Sequence, residues 1–366
     1  MSIYISRDQL VSYVSSIISG HRVPEEDAQS IAKVLVTADA RGIASHGVAR
    51  LWRYLNGIDN GSMLIDCKPR IIKDTSITQV IDAQGGLGAP VSSFAMKEVI
   101  QKAKSQGTAF ATVKNSNHFG IAGYYAMMAI EHDMIGIAMT NTAALGVPTF
   151  GCDVMFGTNP IAIAVPAGKE IPYVLDMSTT VVSRGKIEVY DRENHELPPG
   201  WAVNKQGLTA QDPGTLLKDM LTREGGGILP LGGEGDSFGG HKGYGLALLV
   251  DIFCALLSSS AFGEDISDSA ETSARVSHFF GAIDIGRFRK ISSFKQDMDT
   301  MLSRLIASRP AENQTQVYYA GLKEALAEIS AESRGVELSD SVWEQVSSLG
   351  DTVGVENPYI EKRIKF

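Results

Sequence analysis

Apolar positions recur at helical spacing near the N-terminus, give way to short β-rich runs in the middle, and return to helical spacing from Ser292 onward. Ser6, with Gln9 three residues on, opens a first helix through a capping box, and Gly20 closes it. Pro24 with Glu25, Glu26 and Asp27 opens a second helix: proline fits a first turn, and the acids face the positive end of the dipole. Ala28, Ile31, Val34, Leu35 and Ala38 give that helix one buried stripe. A third is expected over 45–55, stopped by Asn56 and Gly57. Strands are expected at 77–81, 108–113, 135–140, 160–165 and 173–175, with helices at 90–105, 120–132 and 243–257. Further helices follow at 294–308, 318–333 and 339–349, and the glycine-rich stretch 225–245 reads as a mobile loop.

Several strands follow one another without an intervening helix, which argues against a doubly wound parallel sheet. The pattern predicts an α/β (α+β) fold in which a helical unit from both chain ends packs on a strand-rich middle. Composition narrows the function. The 366 residues carry 33 basic and 42 acidic side chains, a net charge of −9, so a nucleic-acid partner is not expected. Three scattered cysteines, Cys67, Cys152 and Cys254, form neither a disulfide framework nor a thiolate metal site, so no metal is expected. No signal-peptide pattern opens the chain, and the longest apolar stretch, 243–257, is interrupted by Asp251 and too short for a bilayer. The expectation is a cytoplasmic protein with no membrane partner.

No GxGxxG follows a strand, and no GxxxxGK[ST] is present; Gly86 and Gly88 lack the third glycine. A bound nucleotide would therefore not use the Rossmann or P-loop turn. The chemistry-bearing residues sit in five other places. On a helix Ser45, His46 and Gly47 would precede Arg50 and Tyr54, with His46, Arg50 and Tyr54 on one face: a proton-exchanging imidazole beside a carboxylate-gripping guanidinium. The plainer alternative is Ser45 as a helix cap and Arg50 as a solvated charge. Asn117, His118, Phe119, Gly120, Ile121 and Ala122 link a strand to a helix, where free N–H groups admit a phosphate. Gly157, Thr158 and Asn159 turn into a strand. Asp176, Met177 and Ser178 end one, where the acid could orient a histidine or cap a helix. His241 and Lys242 lie among glycines before an apolar helix, as in an anion clamp.

Taken in order, these motifs resemble the malate/L-lactate dehydrogenase family of the second type, which includes sulfolactate, ureidoglycolate and diketogulonate dehydrogenases and cyclic-imine reductases. The resemblance runs from about residue 5 to about residue 350. It implies a non-Rossmann NAD(P)-binding domain with a mixed sheet over 76–308, a helical substrate and dimerisation domain from 1–75 with 309–366, a homodimer, and NAD or NADP as cofactor. It also implies a small 2-hydroxy or 2-oxo acid as substrate. By motif match, His46 falls at the acid/base position with Ser45 and Asp176 as relay partners, and His118 at a position that some members use as proton acceptor. His118, Phe119, Gly120, Ile121, Ala122, Asp176, Met177, Ser178, Arg184, His241 and Lys242 would line the dinucleotide, and Arg50, Tyr54 and Thr158 the substrate. The departures concern the cofactor: the family's Pro-Gly-Glu is replaced around Ala320, Gly321 and Leu322, its acid after Gly-Trp-Ala-Val is Asn204, and the Thr-Thr-Asp-Pro that often follows reads Ala210, Gln211, Asp212 and Pro213.

The expected activity is hydride transfer between a nicotinamide and a small 2-hydroxy or 2-oxo acid. Two alternatives stand beside it: reduction of a cyclic imino acid on the same scaffold, and hydrolysis by Ser45, His46 and Asp176. The absence of a GxSxG elbow and the adjacency of Ser45 to His46 weigh against the hydrolase.

Overall fold

The computed structural model describes residues 2–266 and 273–358; the expected domain spans extend beyond these at residue 1, 267–272 and 359–366. The chain begins with β1 (Ser2–Ile5), α1 (Arg7–Gly20), α2 (Glu25–Ala40) and α3 (Leu51–Asp59). Then come β2 (Arg70–Asp74), β3 (Thr78–Asp82), α4 (Gly88–Gln106), β4 (Thr108–Ser116), α5 (Ala122–Met127), β5 (Met134–Thr140), β6 (Ile161–Val165) and β7 (Tyr173–Met177). A further stretch holds α6 (Arg184–Arg192), β8 (Ala202–Val203), α7 (Pro213–Thr222), β9 (Gly227–Ile228), α8 (Gly240–Asp251) and β10 (Val276–Asp284). The last elements are α9 (Ile291–Ile306), α10 (Leu322–Arg334), β11 (Val336–Ser339) and α11 (Asp340–Thr352).

Seven strands form one mixed sheet in the order β2-β3-β4-β10-β5-β6-β7. Only β3 and β4 pair in parallel, and α4 supplies the long crossover that a parallel pair needs. The expected mixed, non-Rossmann α/β sheet is therefore present. One apolar cluster runs from α1 and α2 (Leu10, Ile17, Leu35) through Leu51 and α4 (Val99) to the sheet (Phe280). β1 pairs antiparallel with β11, Ser2 opposite Ser339, which ties the two ends of the fold together. Glu328 on α10 reinforces the tie, accepting from Arg7 at 2.9 Å and from Arg41 at 2.6 Å.

The Ser6 capping box is formed: Ser6 Oγ donates to Gln9 Oε1 at 2.8 Å and accepts the Gln9 N–H at 3.4 Å. Three expectations need correction. The segment 45–55 is not one helix. Two short 3-10 turns, Ala44–His46 and Val48–Arg50, are separated by an extended Gly47 (φ −85°, ψ −157°), and α3 begins only at Leu51. The stretch 225–245 is not a free loop: it contains β9, and its backbone packs so closely that a Cβ on Gly240 would fall 2.2 Å from Gly233 O. Finally, β10 lies at the centre of the sheet, where no strand was expected.

Candidate active site

The 3-10 turns and the β4–α5 link bring two imidazoles face to face. His46 and His118 stack with ring centroids 5.7 Å apart and planes 21° from parallel. Ser45 Oγ lies 2.9 Å from His46 Nδ1. His118 Nδ1 accepts the Gly120 N–H at 3.2 Å, so that nitrogen carries no proton, and Tyr54 OH must donate to it at 2.6 Å. Burial of Tyr54 pushes its hydroxyl pKa up, which keeps the proton available. The neutral His118 ring thus holds its hydrogen on Nε2.

Both imidazoles stay neutral well below the usual histidine range. Burial, aided by the neighbouring Arg50 charge, lowers His46 to about 4. Burial also lowers His118, with His46, Arg53 and Arg50 adding to the effect. Arg53, half-buried on α3, is a site residue that the motif reading passed over; its place one helical turn beyond Arg50 was the available signal. Arg50 Nε folds back to donate to Ser45 O at 2.8 Å. His46, Arg50 and Tyr54 therefore converge as expected, but through the Gly47 break and not along a helix face. A Cβ on Gly185 would lie 3.9 Å from an Arg50 guanidinium nitrogen, which places the Arg184–Gly185 start of α6 beside this group. Arg184 Nε itself bonds Glu188 at 2.9 Å.

Both histidine-bearing segments run into the wall of one cavity. Arg41 and Ile43 precede Ser45, Ile121 and Gly123 follow His118, and all four line a space of about 290 Å³ together with Asp176, Tyr319, Gly321, Lys323 and Glu324. The segment 319–324 that departs from the family's motif is thus part of this wall. Asp176 accepts the Gly123 N–H at 2.7 Å at the start of α5, and its walled-in carboxyl has a raised pKa. That bond, not one to a histidine, occupies Asp176. A Cβ on Gly123 would meet the same carboxylate at 2.8 Å.

The other expected residues have different surroundings. Phe119 is buried, stacked on Tyr125 at 4.8 Å and on His278 at 4.4 Å, and position 120 (φ 85°) needs glycine because a Cβ there would fall 2.2 Å from Val34 Cγ1. Ala122 is buried in the main core. Thr158 N–H donates to Thr142 Oγ1 at 3.0 Å, Met177 ends β7, and Ser178 Oγ donates to Thr180 O at 3.1 Å. His241 and Lys242 lie exposed in the first turn of α8, and neither lines the cavity. The departure at Asn204 serves local structure, since Asn204 Oδ1 accepts two backbone N–H groups, and Asp212, which keeps the family's residue, caps α7. Among the described residues no group of three or more His, Cys, Asp or Glu side chains could hold a metal ion, and no helix is long and apolar enough to cross a membrane.

Residues 5–347 match the family model described as malate/L-lactate dehydrogenase. The malate dehydrogenase of Pyrococcus horikoshii is 41% identical over 354 residues, covering 97% of this chain and 96% of that one. The L-sulfolactate dehydrogenase of Methanocaldococcus jannaschii is 35% identical over 353 residues, with 95% and 97% covered. The crystal structure of malate dehydrogenase from Entamoeba histolytica superposes with a TM-score of 0.93 at 32% identity, covering 98% of this chain and 100% of that one. Coverage of nearly the whole length joins the mixed sheet and the expected order of motifs, and the chain belongs to the malate/L-lactate dehydrogenase family of oxidoreductases.

Proposed function

We propose that the protein is an NAD(P)-dependent dehydrogenase of a small 2-hydroxy acid, with the proton-transfer site at the His46–His118 pair. The observation that carries this reading is the stacked pair of neutral imidazoles beside Arg50 and Arg53. Oxidising a 2-hydroxy acid requires a base for the hydroxyl proton and a cation for the carboxylate. A neutral imidazole supplies the first, and the guanidinium of Arg50 the second.

The two rings divide the work by their hydrogen bonds. His118 has its Nδ1 lone pair taken by Gly120 N–H and Tyr54 OH, which leaves Nε2–H as a donor able to orient the substrate oxygen. His46 can give Nδ1–H to Ser45 Oγ and keep the Nε2 lone pair, so it takes the proton on oxidation and returns it on reduction. Asp176 bonds the Gly123 N–H, which leaves the hydrolytic arrangement of Ser45, His46 and Asp176 without its carboxylate–imidazole contact.

The cavity fits part of a dinucleotide. It lies at the small end of ligand pockets, roughly 300–1,000 Å³, and combines Arg41 and Lys323 for phosphate with Asp176 and Glu324 for sugar hydroxyls. Hydride exchange with the substrate carbon is the chemistry that a bound nicotinamide supplies. Arg41 is already held by Glu328, so its charge is positioned before any ligand arrives. Separate titrations with NADH and NADPH, followed by turnover of pyruvate, oxaloacetate, sulfopyruvate and a cyclic imino acid, test this reading. Binding of one coenzyme and its consumption with a 2-oxo acid is expected. Failure of both to bind at millimolar concentration would remove it, and consumption with the imino acid alone would move the protein to C=N reduction.

A further inference from the structure

We propose that Asp39 is a positioning residue that sets the spacing between His46 and Arg50 by capping the break between their two turns. The inference rests on the catalytic reading of His46. Asp39 sits in the last turn of α2 and is 8% exposed. Its Oδ2 accepts the Val48 N–H at 2.7 Å. Val48 begins the second 3-10 turn, so its N–H has no place in the hydrogen bonding of the first, and Asp39 gives it a partner.

Gly47 carries the independent half of the argument. Its backbone is extended, at φ −85° and ψ −157°, a conformation open to any residue. Glycine is needed there for space: a Cβ would fall 1.9 Å from Asp39 Oδ1. The chain therefore crosses directly over the carboxylate, with His46 on one side of the crossing and Arg50 on the other. A buried acid is unfavourable unless it is bonded, and an apolar side chain would fill the same space. The acid makes sense as the acceptor that fixes this junction.

Asp39→Ala, Asp39→Asn, Gly47→Ala and the double variant Asp39→Ala/Gly47→Ala would be compared in the full chain by hydrogen exchange and steady-state kinetics. Loss of the bond in Asp39→Ala should speed exchange of the peptide carrying Val48 about five- to hundredfold, the range for removing one partner of a buried hydrogen bond, while β10 stays protected. The kcat should fall and the substrate KM rise by about tenfold each as the two groups lose register, with coenzyme affinity unchanged. Asparagine retains an acceptor oxygen and should restore both readouts; Gly47→Ala should behave like Asp39→Ala. The double variant removes the overlap without replacing the acceptor, so it should stay impaired. Unchanged exchange around Val48 in Asp39→Ala, loss of protection spread evenly to β10, or recovery in the double variant would overturn the proposal. If the unaltered protein consumes no acid, the catalytic reading fails, while the exchange comparison still decides whether Asp39 holds the turn.

Discussion

The three histidines near the centre of the fold differ by what their nitrogens touch. His278 is fully buried, with Nδ1 2.8 Å from Thr140 Oγ1 and Nε2 2.8 Å from Ser116 Oγ, and its ring lies on Phe119. Both nitrogens are committed to side chains of neighbouring strands, so it is a structural residue. Burial lowers its pKa from 6.5 to about 3. The unfolded chain binds a proton there near pH 6.5, whereas the fold does not until the pH approaches 3, so the contribution is full above 6.5 and is lost as the pH falls toward 3. Denaturant midpoints should show a loss on the order of 2 kcal/mol between about pH 7 and about pH 5 from this group, with a shallower slope in His278→Asn. His46 and His118 instead keep positions open to a ligand. The sequence singled out these two because each stands in a polar motif; Asp39 carried no such mark, since a lone acid near a helix end reads as a surface charge until the chain folds back over it.

At the level of elements, the turn holding Thr158 depends on residues far away in the chain. Asp251 Oδ1 accepts from Asn141 at 3.1 Å and its Oδ2 from Asn159 at 2.9 Å, while Asn159 Oδ1 accepts the Thr142 N–H at 3.2 Å. One buried carboxylate thus joins α8 to the strand ends on either side of Thr158. Asp251→Ala takes one acceptor from each of two buried amides, which keep only the carbonyls of Ala261 and Ala247, and should cost about 1–3 kcal/mol in a denaturant melt, with a loss of substrate affinity if Thr158 helps to bind it. In the sequence Asp251 was visible only as an interruption of an apolar run. Helices α1, α2, α4 and α11 were legible because each repeats one apolar face over several turns, and Ser6 and Ser339 cap α1 and α11. β10 was not: Val276–Phe280 is buried throughout, with Ser277, His278 and Gly281 in its run, so it shows neither alternation nor an unbroken apolar stretch. Its identity as a strand comes from β4 and β5, more than 130 residues before it in sequence. The break at Gly47 was hidden for a similar reason, because only the Asp39 contact shows that Gly47 interrupts the expected helix.

Across the whole molecule, the two ends of the fold are held together beside the candidate site. The β1–β11 pair and the Arg7–Glu328–Arg41 group join the helices at the two ends, and Arg41 belongs both to this group and to the cavity wall. Glu328→Ala would leave the 6%-exposed Arg41 without its carboxylate, and should cost about 1–3 kcal/mol in thermal or chemical unfolding while weakening coenzyme binding. Motif order carried the family assignment because it needs no contacts; the proposed division of roles between His46 and His118 rests on hydrogen bonds that no spacing shows. The most direct measurement is consumption of NADH and NADPH, read by nicotinamide absorbance, by the unaltered protein and by His46→Asn with pyruvate, oxaloacetate, sulfopyruvate and a cyclic imino acid. The account predicts turnover of a 2-oxo acid that falls about 10²- to 10⁴-fold in His46→Asn, with coenzyme affinity retained. Equal rates in the two proteins, or consumption with the imino acid alone, would contradict it.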